Sequence, residues 1–227
     1  MHLEIEKKFE EAVENNKLTF TESTQERKTL DNGLQLAITL ASNLSKKPES
    51  DGSAGESKSS PWLPVDGDLL VQKQDTHSLV LNKFPVVKNH VLLVTNEFED
   101  QNLPLSEADW KSSLALLKQL NEGTGKRHVG FFNCGSNSGA SVSHKHIQFM
   151  PLPENFSPFP DTTKEAKDTG MYGDERVPFA HYITKIPDDL LWDVENATSG
   201  DIPCQSHADL RFYRLNIEAK LGLFTHL

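Results

Sequence analysis

His144, His146 and Gln148 stand at alternate positions of the run Ser143-His-Lys-His-Ile-Gln-Phe-Met-Pro-Leu-Pro. In a strand, side chains two apart share a face, and a rise of roughly 3.3 Å per residue sets the two histidine Cα atoms about 7 Å apart. That spacing suits either a shared metal or two separate catalytic tasks. Zinc would need a third ligand, and no HExxH or CxxC spacing supplies one. The preceding segment, Asn133-Cys-Gly-Ser-Asn-Ser-Gly-Ala-Ser-Val, is rich in Ser and Gly, and successive backbone N–H groups in such a turn can hold phosphate oxygens. A neutral imidazole is a competent nucleophile toward phosphorus when its other nitrogen is hydrogen-bonded, and a backbone carbonyl is the common partner. An amide such as Gln148 can donate to nonbridging oxygens without being a strong acid. The outline is that of phosphate chemistry.

Several elements must hold this run in place. Asp68–Lys73, His77–Asn82 and His90–Thr95 are short and rich in Val and Leu, and Pro85 forbids one continuous strand through the latter two. An antiparallel meander is expected. Ser106 and Asp109 form a capping-box pattern before a helix that puts Trp110, Leu114, Leu117 and Leu120 on one face, with Gly123 as its end. His128–Asn133 reads as the strand entering the Gly135–Val142 loop, and Ser143–Met150 as the strand leaving it. Pro151–Pro178 reads as a long irregular connection, and Ala180–Ile186 as a further strand. Asn196–Asp209 shows no period, and Leu210–Leu227 is expected to be helical in part. At the other end, Met1–Val13 reads as a charged amphipathic helix packing Leu3, Ile5, Phe9 and Val13, and Leu34–Leu40 as a strand. Lys46–Pro61 has no large apolar residue and cannot offset the entropy of ordering. The chain thus divides into 1–45 (helix and strand), 46–61 (flexible linker loop), 62–190 (catalytic core) and 191–227 (a C-terminal segment).

Bulk properties exclude some functions. A net charge of -10 and a pI near 5.4 leave no broad basic surface for nonspecific DNA or RNA binding, although a nucleotide could bind locally. The start has no apolar core of signal-peptide type, and no stretch approaches the roughly 18 apolar residues of a membrane helix. A soluble, intracellular protein is expected, in the cytoplasm and also the nucleus, with no membrane partner. Cys134 and Cys204 suit a reducing compartment as free thiols, with a single bridge between them as the other reading. Trp62, Trp110 and Trp192 read as packing groups, and His77, His90, His128, His181 and His207 as ordinary strand or surface histidines. Cys134 reads as structural, since no motif pairs it with a base. Asp174-Glu-Arg and Pro187-Asp-Asp read as solvated faces.

The segment Phe131–Pro151 resembles the active-site signature of the fungal diadenosine tetraphosphate phosphorylases, also called ATP adenylyltransferases. These belong to the histidine-triad superfamily, in the branch where Gln replaces the last His, as in galactose-1-phosphate uridylyltransferase. Val80–Thr95 is similar to the family's strand-turn-strand, and with Val177-Pro-Phe-Ala-His-Tyr the resemblance covers roughly residues 30 to 190. It implies an α+β fold: a histidine-triad-like antiparallel sheet with packed helices. It implies phosphorolysis of a dinucleoside tetraphosphate, in which His146 attacks the α-phosphorus, ADP or ATP departs, and inorganic phosphate takes the nucleotidyl group. The His144 main chain would orient His146, and Gln148 would hold the transferred phosphate. Asn133, Gly139, Ala140, Ser141 and Val142 would bind phosphate and ribose oxygens, with Leu81 and Asn82 near the nucleoside. Lys47 is the candidate for the lysine on the polyphosphate, against a solvated linker lysine. A divalent cation accompanying the nucleotide is the one cofactor envisaged, and a monomer is expected.

Glutamine at 148 cannot titrate near neutrality, so transfer to phosphate is easier to rationalise than hydrolysis. The similarity fades after about Pro187, and a truncated or diverged C-terminus, with an exposed sheet edge, is expected. The alternative readings are a weakly active or inactive nucleotide-binding homologue and a metal-binding protein using His144 and His146.

Overall fold

The computed structural model describes residues 2–20, 23–40, 60–162 and 172–183. Helix α1 spans His2–Glu14. Ile5, Phe9 and Ala12 are its buried face, at the i, i+4, i+7 spacing of one helical stripe. Val13, expected in that stripe, is exposed instead because Ala12 takes the inward position. Two strands follow, β1 (Thr24–Thr29) and β2 (Gln35–Leu40), paired antiparallel as a separate two-stranded ribbon. Strand β1, Thr-Gln-Glu-Arg-Lys-Thr, is exposed at every residue, so no alternation of apolar and polar residues announces it.

The main sheet contains β3 (Leu70–Lys73), β4 (His77–Leu81) and β5 (Val91–Thr95), then β6 (His128–Phe131) and β7 (His146–Pro151). Its order is β3-β4-β5-β7-β6, with antiparallel neighbours throughout. The meander therefore holds only through β5. Helix α2 (Glu107–Thr124) then carries the chain to the far edge, and β7 returns between β5 and β6. Helix α2 begins with the expected capping box, Ser106 with Asp109. It ends at Gly125, in the left-handed conformation at φ 62°, two residues beyond Gly123. Strand β7 begins later than expected. His144 makes only an isolated bridge, to Asp100. Among the described residues after Pro178 there is likewise a single bridge, Tyr172 with Ile183, rather than a strand.

The sheet buries both faces, as the fully buried β4 and β5 require. On one side Leu79, Leu81, Val91, Leu93, Ile147 and Phe149 pack with Ile5 and Phe9 of α1 and Leu114, Leu117 and Leu120 of α2. On the other, Val80, Leu92 and Val94 pack with Trp62, Val65 and Leu70. Directly opposed residues of an antiparallel pair share a face. The register pairs Val94 with His146 and Leu92 with Gln148, so these two side chains lie on the Trp62 side, away from the helices. Asp174 and Arg176, expected to be solvated, form a 2.5 Å ion pair with the carboxylate largely buried.

Candidate active site

Strand periodicity sends His146 and Gln148 to one face and Lys145 and Ile147 to the other. The Nδ1–H of His146 donates to the main-chain carbonyl of His144 at 2.8 Å. In a neutral ring that bond places the lone pair on Nε2, the form a nucleophilic imidazole needs. His144 contributes its carbonyl while its ring is held elsewhere. Its Nε2–H faces the Thr95 carbonyl at 3.0 Å and hydroxyl at 2.8 Å, and its Nδ1 accepts from the Ser60 hydroxyl. Burial pushes the His144 pKa below its ordinary value, against the hydrogen bonds to Thr95 and Glu97 carbonyls, so the ring is neutral. Ser60, at the end of the segment expected to be a mobile linker, is thus hydrogen-bonded at the site. Trp62 lays its indole against both imidazoles, at centroid distances of 4.8 Å to His146 and 5.6 Å to His144.

The peptide of His146 is gripped by a side chain. Gln101 Oε1 accepts from His146 N–H at 2.7 Å, and Gln101 Nε2 donates to His146 C=O at 3.2 Å and to Asn133 C=O at 2.8 Å. One carboxamide therefore ties the imidazole-bearing residue to the first residue of the Ser/Gly-rich loop.

Gln148 is oriented by a relay from the β4–β5 turn. Phe84 N–H donates to Asn82 Oδ1 at 3.0 Å, Asn82 Nδ2 donates to His90 Nδ1 at 3.3 Å, and His90 Nε2–H donates to Gln148 Oε1 at 3.1 Å. Burial drives the His90 pKa down to about 4, helped by the neighbouring His146 and opposed by the Gln148 bond, so the imidazole is neutral. With its carbonyl engaged, the Gln148 amide presents its NH₂ outward as a donor.

On the helix side, Lys145 is fully buried, and its ammonium reaches Glu99 Oε2 at 2.6 Å, Asp109 Oδ2 at 3.1 Å and the Pro104 carbonyl at 3.3 Å. Asp109 also accepts from His77 Nε2 at 2.9 Å and from Ser106 N–H at 2.7 Å. Burial raises the Asp109 pKa, but these donors outweigh it and hold the carboxyl well below the carboxylate range. Charge buried directly behind the histidine strand is thereby compensated.

The loop is a 3₁₀ turn over Ser136–Ser138 between two glycines. Gly135 has φ 81° and ψ 174°, a region essentially restricted to glycine, and a Cβ there would lie 2.5 Å from Asn102 Oδ1. Gly139, at φ 88° and ψ 11°, closes the turn beside the Asn133 amide. The N–H groups of Ser138, Gly139 and Ala140 are bonded within the turn, to the carbonyls of Gly135 and Ser136.

The structure brings together His144, His146, Gln148, Asn133 and, through His90, Asn82. Gly139, Ala140, Ser141 and Val142 form the turn and the lead-in to His144. Leu81 is not brought to the site: its side chain is 1% exposed in the helix-side core, because its strand position alternates to the opposite face from Val80. Lys47 lies outside the described residues, as do Cys204, Trp192 and His207. His77 is a strand histidine, the first residue of β4, and both it and His90 are buried, as partners of Asp109 and Gln148. Among the described residues no group of three His, Cys, Asp or Glu could hold a metal, and both ring nitrogens of His144 are hydrogen-bonded within the protein. Gln101 and Trp62 were not legible as site residues, since neither lies in a periodic run that points at the imidazoles.

A family model described as the Ap4A phosphorylase N-terminal domain matches residues 1–162. The chain belongs to that family. It is 33% identical over 201 residues to diadenosine 5',5'''-P1,P4-tetraphosphate phosphorylase 2 of Saccharomyces cerevisiae, covering 81% of this chain and 62% of the relative. It is 34% identical over 198 residues to Protein APA1 of the same yeast, covering 81% and 61%. The chain thus spans about three-fifths of the length of these curated relatives. Among solved structures, yeast Ap4A phosphorylase Apa2 in complex with Ap4A matches at 31% identity and a TM-score of 0.68, covering 82% of this chain and 65% of that one. The same enzyme in complex with AMP matches at 32% identity and a TM-score of 0.69, covering 86% and 68%. The α+β architecture with an antiparallel sheet is that of the family.

Proposed function

We propose that this chain carries the adenylyl-transfer site of a diadenosine tetraphosphate phosphorylase. The observation that carries the reading is the bond from His146 Nδ1–H to the His144 carbonyl, which fixes the ring in the tautomer with its lone pair on Nε2. That nitrogen attacks an α-phosphorus; the N–P bond forms, the P–O bond to the triphosphate breaks, and ATP leaves. A phosphate oxygen then attacks the same phosphorus, the N–P bond breaks, and ADP leaves with His146 restored. Gln148, its oxygen held by His90, donates from Nε2 to a nonbridging oxygen as charge develops there, and the turn from Asn133 to Val142, with its Ser138, Gly139 and Ala140 N–H groups engaged internally, offers its side chains and remaining N–H groups to the neighbouring phosphate and ribose oxygens. Gln148 cannot activate water as a base, which favours phosphate as acceptor. The relatives named for, or crystallised with, Ap4A support this substrate class.

The test is direct. Purified protein is incubated with diadenosine tetraphosphate and its intact mass measured, expecting one added AMP that His146→Ala lacks; added phosphate then releases ADP. Absence of both the adduct and phosphate-dependent ATP and ADP would remove the reading.

A further inference from the structure

We infer that Gln101 is a positioning residue for adenylyl transfer, its carboxamide holding the main chain of His146 in register with Asn133 at the start of the anion-binding turn. The inference rests on the function proposed above.

Strand β6 cannot do this task. Its pairing with β7 stops at Phe131 opposite Gln148, two residues short of His146. In its place the segment before Gln101 runs beside the lead-in to β7: Lys145 N–H donates to Glu99 C=O at 2.7 Å, Gln101 N–H donates to Ser143 C=O at 2.8 Å, and Asp100 bridges His144. At the next position the ladder continues through a side chain. A carboxamide offers the acceptor and donor of a peptide group, and Gln101 gives both to the single residue His146. The second hydrogen of its NH₂ goes to Asn133 C=O.

The residue is 1% exposed, so each of these bonds is made without competition from water. Its orientation is unambiguous. Oε1 meets an N–H, whereas Nε2 meets two carbonyls, which only an NH₂ can satisfy together. Glutamate in the same volume would turn an oxygen toward both carbonyls, and methionine would satisfy none of the three groups. Besides its pairing with Val94 and the Trp62 indole, His146 is held at its ring by the His144 carbonyl and at its backbone by Gln101, and the Gln101 contact is shared with the loop.

The experiment compares wild type, Gln101→Met and Gln101→Glu in single-turnover formation of adenylyl-His146, read by intact mass, alongside AMP affinity and near-UV circular dichroism. Misplacing a nucleophile by about 1 Å costs on the order of 100-fold, so adenylylation per folded molecule is expected to fall about 10- to 100-fold in Gln101→Met, with AMP affinity within about threefold of wild type. Gln101→Glu, which keeps only the acceptor for His146 N–H, is expected to fall as far. Should one variant fail to fold, the other carries the comparison. Wild-type rates in a folded variant overturn the inference. So does a loss of AMP affinity in proportion to the rate, or failure of both variants to fold, since Gln101 would then be a stability residue. Absence of an adduct in wild type itself would instead count against the proposed function.

Discussion

His90 donates from Nε2 to Oε1 of Gln148 at 3.1 Å, and this contact decides which end of the glutamine amide faces away from the sheet's hydrogen-bond relay. His90 is neutral, and its Nδ1 accepts from Asn82, so its one ring proton sits on Nε2. Replacing it by phenylalanine keeps a ring and removes the donor. The amide of Gln148 is then free to turn. We expect His90→Phe to lower kcat about tenfold, the equivalent of one lost hydrogen bond of about 1.4 kcal/mol, with a smaller change in KM. Steady-state kinetics with diadenosine tetraphosphate and phosphate check this, and an unchanged kcat would count against an orienting role.

The same histidine gives stability a definite pH dependence. Its folded pKa of about 4 lies below the ordinary 6.5, so between these values the unfolded chain binds a proton that the folded chain refuses. Stability falls as pH drops through that window, by about 1.4 kcal/mol per unit from this group alone, and the contribution is flat above it. His144, also held low by burial, acts in the same direction. Urea unfolding across the window should show a shallower slope for His90→Phe than for wild type.

The two glycines that flank the Ser136–Ser138 turn should respond unequally to alanine. Gly135→Ala meets both a backbone region closed to other residues and the Asn102 oxygen at 2.5 Å, whereas Gly139→Ala meets only a left-handed backbone with its nearest neighbour at 3.8 Å. Gly139→Ala is expected to cost about 1–2 kcal/mol and Gly135→Ala about 2–3 kcal/mol, most of it backbone strain because the exposed Asn102 side chain can move aside. Adding Asn102→Ala should return part of the Gly135→Ala loss and none of the other. Chemical denaturation of wild type, Asn102→Ala, the two glycine variants and their two combinations with Asn102→Ala tests the ordering.

Lys145 and Asp109 are both nearly inaccessible to solvent, and their ion pair at 3.1 Å is one of several bonds on each. Lys145→Met leaves a buried carboxylate short of a cation, at an expected cost of about 3 kcal/mol. The double variant with Asp109→Asn should cost less than the sum of the singles by at least about 1 kcal/mol. Strict additivity in urea unfolding would show that the pair is not coupled.

How much of this could be read from residues alone depends on whether the signal is local. The capping box at Ser106 and Asp109 and the break at Pro85 are short-range chemistry, and both stand in the structure where the sequence places them. The grouping of His144, His146 and Gln148 follows from a period of two. What escaped was pairing across long separations: Gln101 reaches His146 over 45 residues and His90 reaches Gln148 over 58. No periodicity carries that information. Strand β1 escaped because it buries nothing, and the insertion of β7 between β5 and β6 because helix α2 intervenes in the chain. Lys145 is readable locally: alternation alone sends a lysine between two site residues into the helix-side core, where it must find a carboxylate.

Asp109 occupies the first turn of α2, receives the start of β4 through His77 and receives the beginning of β7 through Lys145. One carboxylate thus knots three segments that are distant along the chain. Each segment that peels away takes with it the buried carboxylate or one of its donors, so amide protons in all three should exchange with solvent through one shared opening event rather than by separate fraying.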